Sequence, residues 1–322
     1  MIFFSHFQDS VLPRVWAAFK SSTRTQYAAK QSEFVAWCSA RAVCPLPIEE
    51  ATLVQYVSEL LDRKLSGPSL DVYVSAIKNF SILNGFGEPR DMPLLRLLLR
   101  GGRKHSAPQP TRVAVTQQDL RAMLGVIDFA KFNDVLFWAL TTLAFFGFLR
   151  VGEYLAPGGT FRPDKHLTVG DLSWEAHGFE VLLKDSKTDS TCSGVRVTVG
   201  PSGSSVCAIS AVQLYLQVAA ASGLSLNGPD PLFRFRDGVP VSLTWYMSRL
   251  AEMAKAVGVA GRVTPHSLRI GAATAARRAG FSDDQIKLLG RWKSSCFQRY
   301  LRFEKADERS LRGRLGAVEE RL

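Results

Sequence analysis

Four short stretches in the second half of the chain carry residues whose types and spacing could do chemistry. FFGFLRVGEYL places Arg150 and Glu153 three residues apart at the end of an apolar run. LLKDSKTDS places Lys184 and Lys187 at a strand end and in the turn after it. TPHSLRIGAA places His266 and Arg269 three apart at a helix start, one above the other on one face. GRWKSSCFQRY supplies Arg291, Trp292 and Tyr300. Singly, each has an ordinary explanation. Arg150 could cap the last carbonyls of the apolar helix and pair with Glu153. Lys187 could be one turn charge among many, His266 a polar residue at a helix start, and Tyr300 a half-buried anchor. Together they form a set. An anionic phosphate that gains charge in transit calls for two arginines on its non-bridging oxygens. A tyrosine hydroxyl can form a covalent phosphoryl intermediate. A lysine can protonate the leaving oxygen, and a histidine can hydrogen-bond a phosphate oxygen or shuttle a proton.

The elements that must position these residues follow from periodicity. The first hundred residues show helical patterns and no competing strand signal. STRTQYAAKQSEFVAWCSARA opens with Thr23 and Gln26 at capping-box spacing and sets Tyr27, Phe34, Trp37 and Cys38 on one face. PIEEATLVQYVSELLDRK starts with Pro47 and acids, with a stripe of Leu53, Tyr56, Val57, Leu60 and Leu61. SLDVYVSAIKNFSILNG repeats the design, and MPLLRLLLRGGRK predicts a fourth helix ending at Gly101 and Gly102. A bundle of about four helices over 10–104 is expected. HSAPQPTRVA, rich in proline and polar residues, marks a linker over 105–115, and VTQQDLRAML restarts a helix capped by Thr116.

The remainder, 116–322, reads as a mixed domain. Helices are expected at about 117–127 and 132–149. Strand-like runs HLTVGDLSW, GFEVLLKDS and GVRVTVG follow, separated by Gly, Asp and Ser turns. Helical patterns return at 207–221, 242–257, 265–279, 282–289 and 295–302. The fold class is therefore mainly α, with a small antiparallel β-sheet in the second domain.

Composition narrows the partners. The chain has 322 residues, favouring two domains, and a formal charge of +11, favouring an anionic partner such as nucleic acid. Its five cysteines are widely spaced and form no C-x-x-C or zinc pattern, which fits reduced thiols in an intracellular protein. MIFFSHFQDS lacks the charged start and cleavage site of a signal peptide. The apolar run 135–149, at 15 residues, is short for a membrane span and reads as a buried helix. No paired carboxylates call for a metal, and no cofactor is expected.

The order Arg-x-x-Glu, a hairpin lysine in SKT, His-x-x-Arg, then Gly with Tyr ten residues on, resembles the tyrosine recombinase (phage integrase) family. PHSLRIGAATAARRAG looks like that family's His-x-x-Arg helix, and STRTQYAAKQSEFVAWC and SLDVYVSAIKNF resemble its helical core-binding domain. The likeness spans roughly residues 10–305. It implies a SAM-like core-binding domain and a catalytic domain closing on double-stranded DNA as a C-shaped clamp. It implies that Arg150 and Arg269 bind the scissile phosphate, Lys187 is the general acid, His266 is the first histidine, Tyr300 is the nucleophile, and Glu153 supports Arg150. The family slot nine residues before the tyrosine usually holds His or Trp. Here it holds Arg291, followed by Trp292, so either Trp292 fills the role after a one-residue shift or Arg291 replaces it. The Gly-Arg-Trp form resembles recombinases of eukaryotic mobile elements, which would imply a nuclear location. Arg24, Lys78, Arg103, Lys104, Lys293, Arg299 and Arg302 are expected to contact the DNA backbone. The implied reaction is site-specific cutting and rejoining through a 3′-phosphotyrosine, without metal or ATP, by four protomers on two duplexes. The tail ADERSLRGRLGAVEERL is a candidate for the segment exchanged between them. The alternatives are an inactive DNA-binding relic of a mobile element and a type IB-like topoisomerase.

Overall fold

The computed structural model describes residues 11–105, 112–156, 160–184 and 194–301. The chain divides into two compact units that part between residues 109 and 110.

The first unit is helical: α1 (Val11–Ala17), α2 (Ser21–Ala40), α3 (Glu50–Asp62), α4 (Gly67–Leu83) and α5 (Pro93–His105). Its core collects apolar positions that recur every three or four residues, among them Phe34 and Cys38 of α2, Leu53, Tyr56 and Leu60 of α3, and Leu70, Val74 and Ile77 of α4. Glu50, in the first turn of α3, accepts hydrogen bonds from the Leu94 and Leu95 amides at 2.7 and 3.1 Å, so one helix caps the start of another. Two expectations are corrected here. α2 begins at Ser21 after an uncapped Lys20, so Thr23 already lies within the first turn and the Thr23–Gln26 box does not form. α5 also does not stop at Gly101 and Gly102 but runs on to His105. Gly102 lies so close to the Leu61 side chain that a Cβ there would collide with it; this glycine permits close helix packing rather than a stop.

In the second unit, Thr116 caps α6 (Gln117–Leu124) as expected. Its hydroxyl accepts from the Asp119 amide at 3.1 Å, and the Asp119 carboxylate accepts from the Thr116 amide at 2.7 Å. α7 (Phe132–Phe146) is buried on every side from Asp134 to Phe145, with α9 (Ala208–Ala221) and α11 (Pro265–Arg278) packed on it. α7 ends three residues sooner than the apolar run. Gly147 follows it, and Phe148, left-handed at φ 49°, reverses the chain so that Arg150 opens the short α8 (Val151–Tyr154).

A three-stranded antiparallel sheet follows, in the order β1 (Leu172–Glu175), β2 (Gly178–Leu183), β3 (Val195–Val199). Val181 lies opposite Leu172 on one side and Val197 on the other. Phe179, Val181 and Leu183 alternate inward from β2. After α10 (Leu243–Ala256), α11 and α12 (Asp283–Gly290), the described chain ends in a 3-10 helix over Ser295–Tyr300, where an α-helix to residue 302 was expected. The turn is only six residues long and is opened by the Ser294 hydroxyl accepting from the Cys296 amide at 3.4 Å, a length at which the tighter winding competes. No helix of the described residues is long and apolar enough to cross a membrane.

Candidate functional site

The left-handed turn at Phe148 fixes the centre of the site. Carbonyls at a helix C-terminus lack intrahelical donors, and here they are met by arginines from far along the chain. Arg291 donates from Nη1 to the Gly147 carbonyl at 3.0 Å and from Nη2 to the Phe148 carbonyl at 3.1 Å. Arg269 donates to the Phe148 carbonyl and to that of Gly290. Arg150 does not cap these carbonyls. Its backbone amide and Nη1 instead donate to the two oxygens of Glu153, each at 2.8 Å. Arg291 Nη2 donates to that carboxylate too, at 2.8 Å. Glu153 thus bridges two guanidiniums; its side chain is 2% exposed, against 21% for Arg150 and 10% for Arg291.

Burial alone would raise the Glu153 pKa. The Arg291 charge, the Arg150 amide and the Arg150 guanidinium together hold it below the ordinary carboxylate value. Arg269 is fully buried, and that burial, with the charges of Arg150 and Arg291, pushes its pKa down to about 9. Burial lowers that of Arg291 also, against the opposing pull of Glu153.

Tyr300 sits in an aromatic and cationic box. Its ring centroid is 4.9 Å from that of His266 and 5.1 Å from that of Trp292. The Arg269 guanidinium carbon lies 4.3 Å from the Trp292 ring and 6.0 Å from the Tyr300 ring. A Cβ on Gly290 would fall inside the Trp292 ring, so this glycine admits the ring. Arg291, left-handed at φ 54°, turns the chain between them. His266 stands in the first turn of α11, at whose start the Ser267 hydroxyl accepts from the Thr264 amide at 3.1 Å. Two buried donors beside Tyr300, Arg269 Nε and Trp292 Nε1, have no hydrogen-bond partner among the described residues, and Arg291 Nε is also without one. A buried polar group left unpaired calls for an explanation, and a catalytic role is one of them.

The structure therefore gathers Arg150, Glu153, His266, Arg269, Arg291, Trp292 and Tyr300 around one turn. Lys187 and Arg302 lie outside the described residues, as does the C-terminal tail. Lys184 is engaged elsewhere: it pairs with Asp171 at 2.6 Å and donates to the Pro163 carbonyl at 2.7 Å, tying the end of β2 to the preceding loop. Lys293 and Arg299 are exposed close to Tyr300 in sequence. In the first unit, Arg24 and Lys104 are exposed, Arg103 pairs with Asp71 at 2.5 Å, and Lys78 lies 3.9 Å from Glu88. One contributor carried no sequence signal. Thr274, one turn beyond Arg269, donates its hydroxyl to the Ile270 carbonyl at 2.9 Å and to that of Tyr300 at 3.3 Å, holding the tyrosine's backbone to α11.

No family model matches the chain. In sequence it is similar to an integrase/recombinase xerD homolog of Selenomonas ruminantium, 26% identical over 267 residues that cover 79% of this chain and 73% of that protein. In fold it is similar to three solved proteins. The XerH site-specific recombinase bound to difH substrate, in its pre-cleavage complex, aligns at TM-score 0.61 and 15% identity over 89% of this chain and 78% of that one. The Tn1549 transposon integrase in complex with transposon right end DNA aligns at 0.58 and 14% over 95% and 98%. The lambda integrase tetramer bound to a Holliday junction aligns at 0.55 and 14% over 90% and 74%. At these identities the structural likeness is one of fold. The sequence relative is bacterial, and these proteins lend no support to a nuclear location or to a eukaryotic element.

Proposed function

We propose that this chain is a tyrosine recombinase of the phage integrase family, a site-specific recombinase that cuts and rejoins double-stranded DNA through a 3′-phosphotyrosine, a reading that its sequence relative and its fold support. The Tyr300 oxygen attacks the scissile phosphorus as its proton passes to solvent, directly or by way of His266. The bond from phosphorus to the 5′-oxygen breaks, and Lys187 protonates the leaving oxygen. Arg150 and Arg269 hold the non-bridging oxygens, and His266 hydrogen-bonds the phosphate or shuttles a proton. A 5′-hydroxyl from another strand then attacks the phosphotyrosine, restoring the DNA bond and freeing the tyrosine. One phosphodiester is exchanged for another, so neither step requires ATP.

The observation that carries this reading is the convergence of His266, Arg269 and Trp292 on the Tyr300 ring, at 4.9, 6.0 and 5.1 Å. Residues 10–104 are assigned the core-binding role and 116–322 the catalytic role, with Arg24, Lys78, Arg103, Lys104, Lys293, Arg299 and Arg302 on the DNA backbone. Four protomers on two duplexes are the working assembly, as in the lambda integrase tetramer on its junction.

The test is a covalent-capture assay in EDTA. Nicked duplexes with a randomised central window are incubated with the protein, denatured and resolved. The expected result is a protein–DNA band that Tyr300→Phe abolishes while salt-sensitive binding persists. Salt-sensitive binding with no covalent band across the pool would identify a DNA-binding relic instead. Relaxation of supercoiled plasmid without intermolecular strand exchange would identify a topoisomerase.

A further inference from the structure

The slot nine residues before the tyrosine holds an arginine whose side chain donates to Glu153 and to the Gly147 and Phe148 carbonyls. We propose that Arg291 is a positioning residue that sets Arg150 through Glu153 and offsets the Glu153 charge, while the neighbouring Trp292 takes the place beside the tyrosine. This rests on the strand-cutting reading above.

Three observations support it. The first is geometry. The Glu153 carboxylate has one oxygen on the Arg150 guanidinium; the other accepts from both the Arg150 amide and Arg291, all at 2.8 Å. Arg291 holds the opposite side of this bridge and is itself fixed by the Gly147 and Phe148 carbonyls at 3.0 and 3.1 Å. A carboxylate gripped from both sides cannot swing, and neither can the arginine it orients.

The second is charge. Arg150, Glu153 and Arg269 together carry one positive charge, and Arg150 is offset by Glu153. A phosphodiester carries one negative charge and gains more in the transition state, so further positive charge favours it. Arg291 raises the sum to two in a site in which Glu153 is 2% exposed and solvent screens little. Arg291 supplies that charge without touching the phosphate.

The third is backbone. Arg291 occupies the left-handed region at φ 54°, which disfavours any residue but glycine. Glycine would suit the turn better, so the strain is retained for the side chain. The same turn sends Trp292 back over Gly290, where its ring packs against both the Arg269 guanidinium and the Tyr300 ring. Arg291 and Trp292 thus divide one position's work, one holding the clamp and the other facing the nucleophile.

The experiment compares two scissile linkages in a duplex recovered from the randomised pool. One is the ordinary phosphodiester; the other is a methylphosphonate, in each diastereomer, which carries no charge and has little need of a cationic clamp. Single-turnover covalent capture is measured for wild type, Arg291→Gly, Arg291→Lys and Glu153→Gln. Arg291→Gly suits the left-handed turn and removes the whole side chain, guanidinium included. The expected result is that it slows phosphodiester attack roughly 10- to 100-fold, up to the loss that a small misplacement of a catalytic group causes, and slows methylphosphonate attack far less. Arg291→Lys, which keeps the charge but not the fork, should fall between. Because the readout is a ratio of two substrates on one preparation, a partly folded variant does not alter it. Equal slowing on both linkages would overturn the inference and leave Arg291 a fold residue. A wild-type rate in Arg291→Gly on the phosphodiester would overturn it too. Failure of the wild type to form any covalent complex is a separate result, which removes the strand-cutting reading and this inference with it.

Discussion

The two units use arginine in opposite ways. In the first, arginines stand at the rim of an apolar core. Arg41 pairs with Glu59 at 2.8 Å with both side chains 38% exposed, and Arg63 and Arg103 pair with Glu33 and Asp71 in similar surroundings. In the second, Arg269 and Arg291 are buried at one helix end, with a single carboxylate shared between Arg291 and Arg150. Exposed pairs contribute little to stability, whereas buried charges carry a desolvation penalty that packing alone would not require. The first unit is held by its apolar contacts. The second keeps a charged centre that stability alone would replace with hydrocarbon, and such a centre is better explained by a charged ligand than by folding.

The comparison can be broken by substitution. Glu153→Ala leaves two guanidiniums in a buried site without their counter-ion and should destabilise the chain by about 3–5 kcal/mol in denaturant melts. Phe34→Ala should cost about as much in the first unit, but through a cavity. If Glu153→Ala is nearly neutral, the centre is solvated and the contrast fails. Gly290→Ala is expected to cost about 1–3 kcal/mol, because the added methyl must displace the Trp292 ring. A changed tryptophan emission spectrum would report it, and an unchanged one would place the ring elsewhere.

Acid sharpens the contrast. The folded pKa of Glu153 is held below its ordinary value of 4.5, so its contribution is intact above that pH and lost as pH falls through the folded value. Stability should therefore decline below about pH 4.5, and Glu153→Gln should flatten that decline. A variant as acid-sensitive as wild type would show that other carboxylates dominate. The smallest effect belongs to the rim: Glu59→Ala should cost no more than about 1 kcal/mol, most of it from the hydrogen bond that Trp37 donates to Glu59 at 2.9 Å.

Local order was legible where its cause was local. The Thr116 cap, the alternation of Phe179, Val181 and Leu183, and the stripe of α3 are all written in neighbouring residues. Thr23 and Gln26 had the right spacing and the wrong place, because α2 begins two residues before Thr23. Gly102 looked like a stop and is a contact with Leu61, a residue 41 positions earlier. At the site, types and spacing brought Arg150, His266, Arg269 and Tyr300 to notice. What Arg291 does was not legible, since its partner Glu153 lies 138 residues away and only the fold joins them. Nor could the sequence choose between Arg291 and Trp292 for one slot. In the fold Arg291 reaches Glu153 and the Gly147 and Phe148 carbonyls, and Trp292 packs on Arg269 and Tyr300.

The carbonyls at the end of α7 bear on how the chain is made. The core of the first unit needs nothing beyond Leu95 to Leu99, so it can close while most of the protein is still untranslated. The second unit has its most buried helix finished by Phe146, yet the donors for the carbonyls that follow it arrive only with Arg269 and Arg291. A nascent chain therefore exposes an apolar helix with an unsatisfied end through most of synthesis, a species prone to aggregation. A ribosome stalled before residue 291 would hold a folded first unit and an unfinished second one.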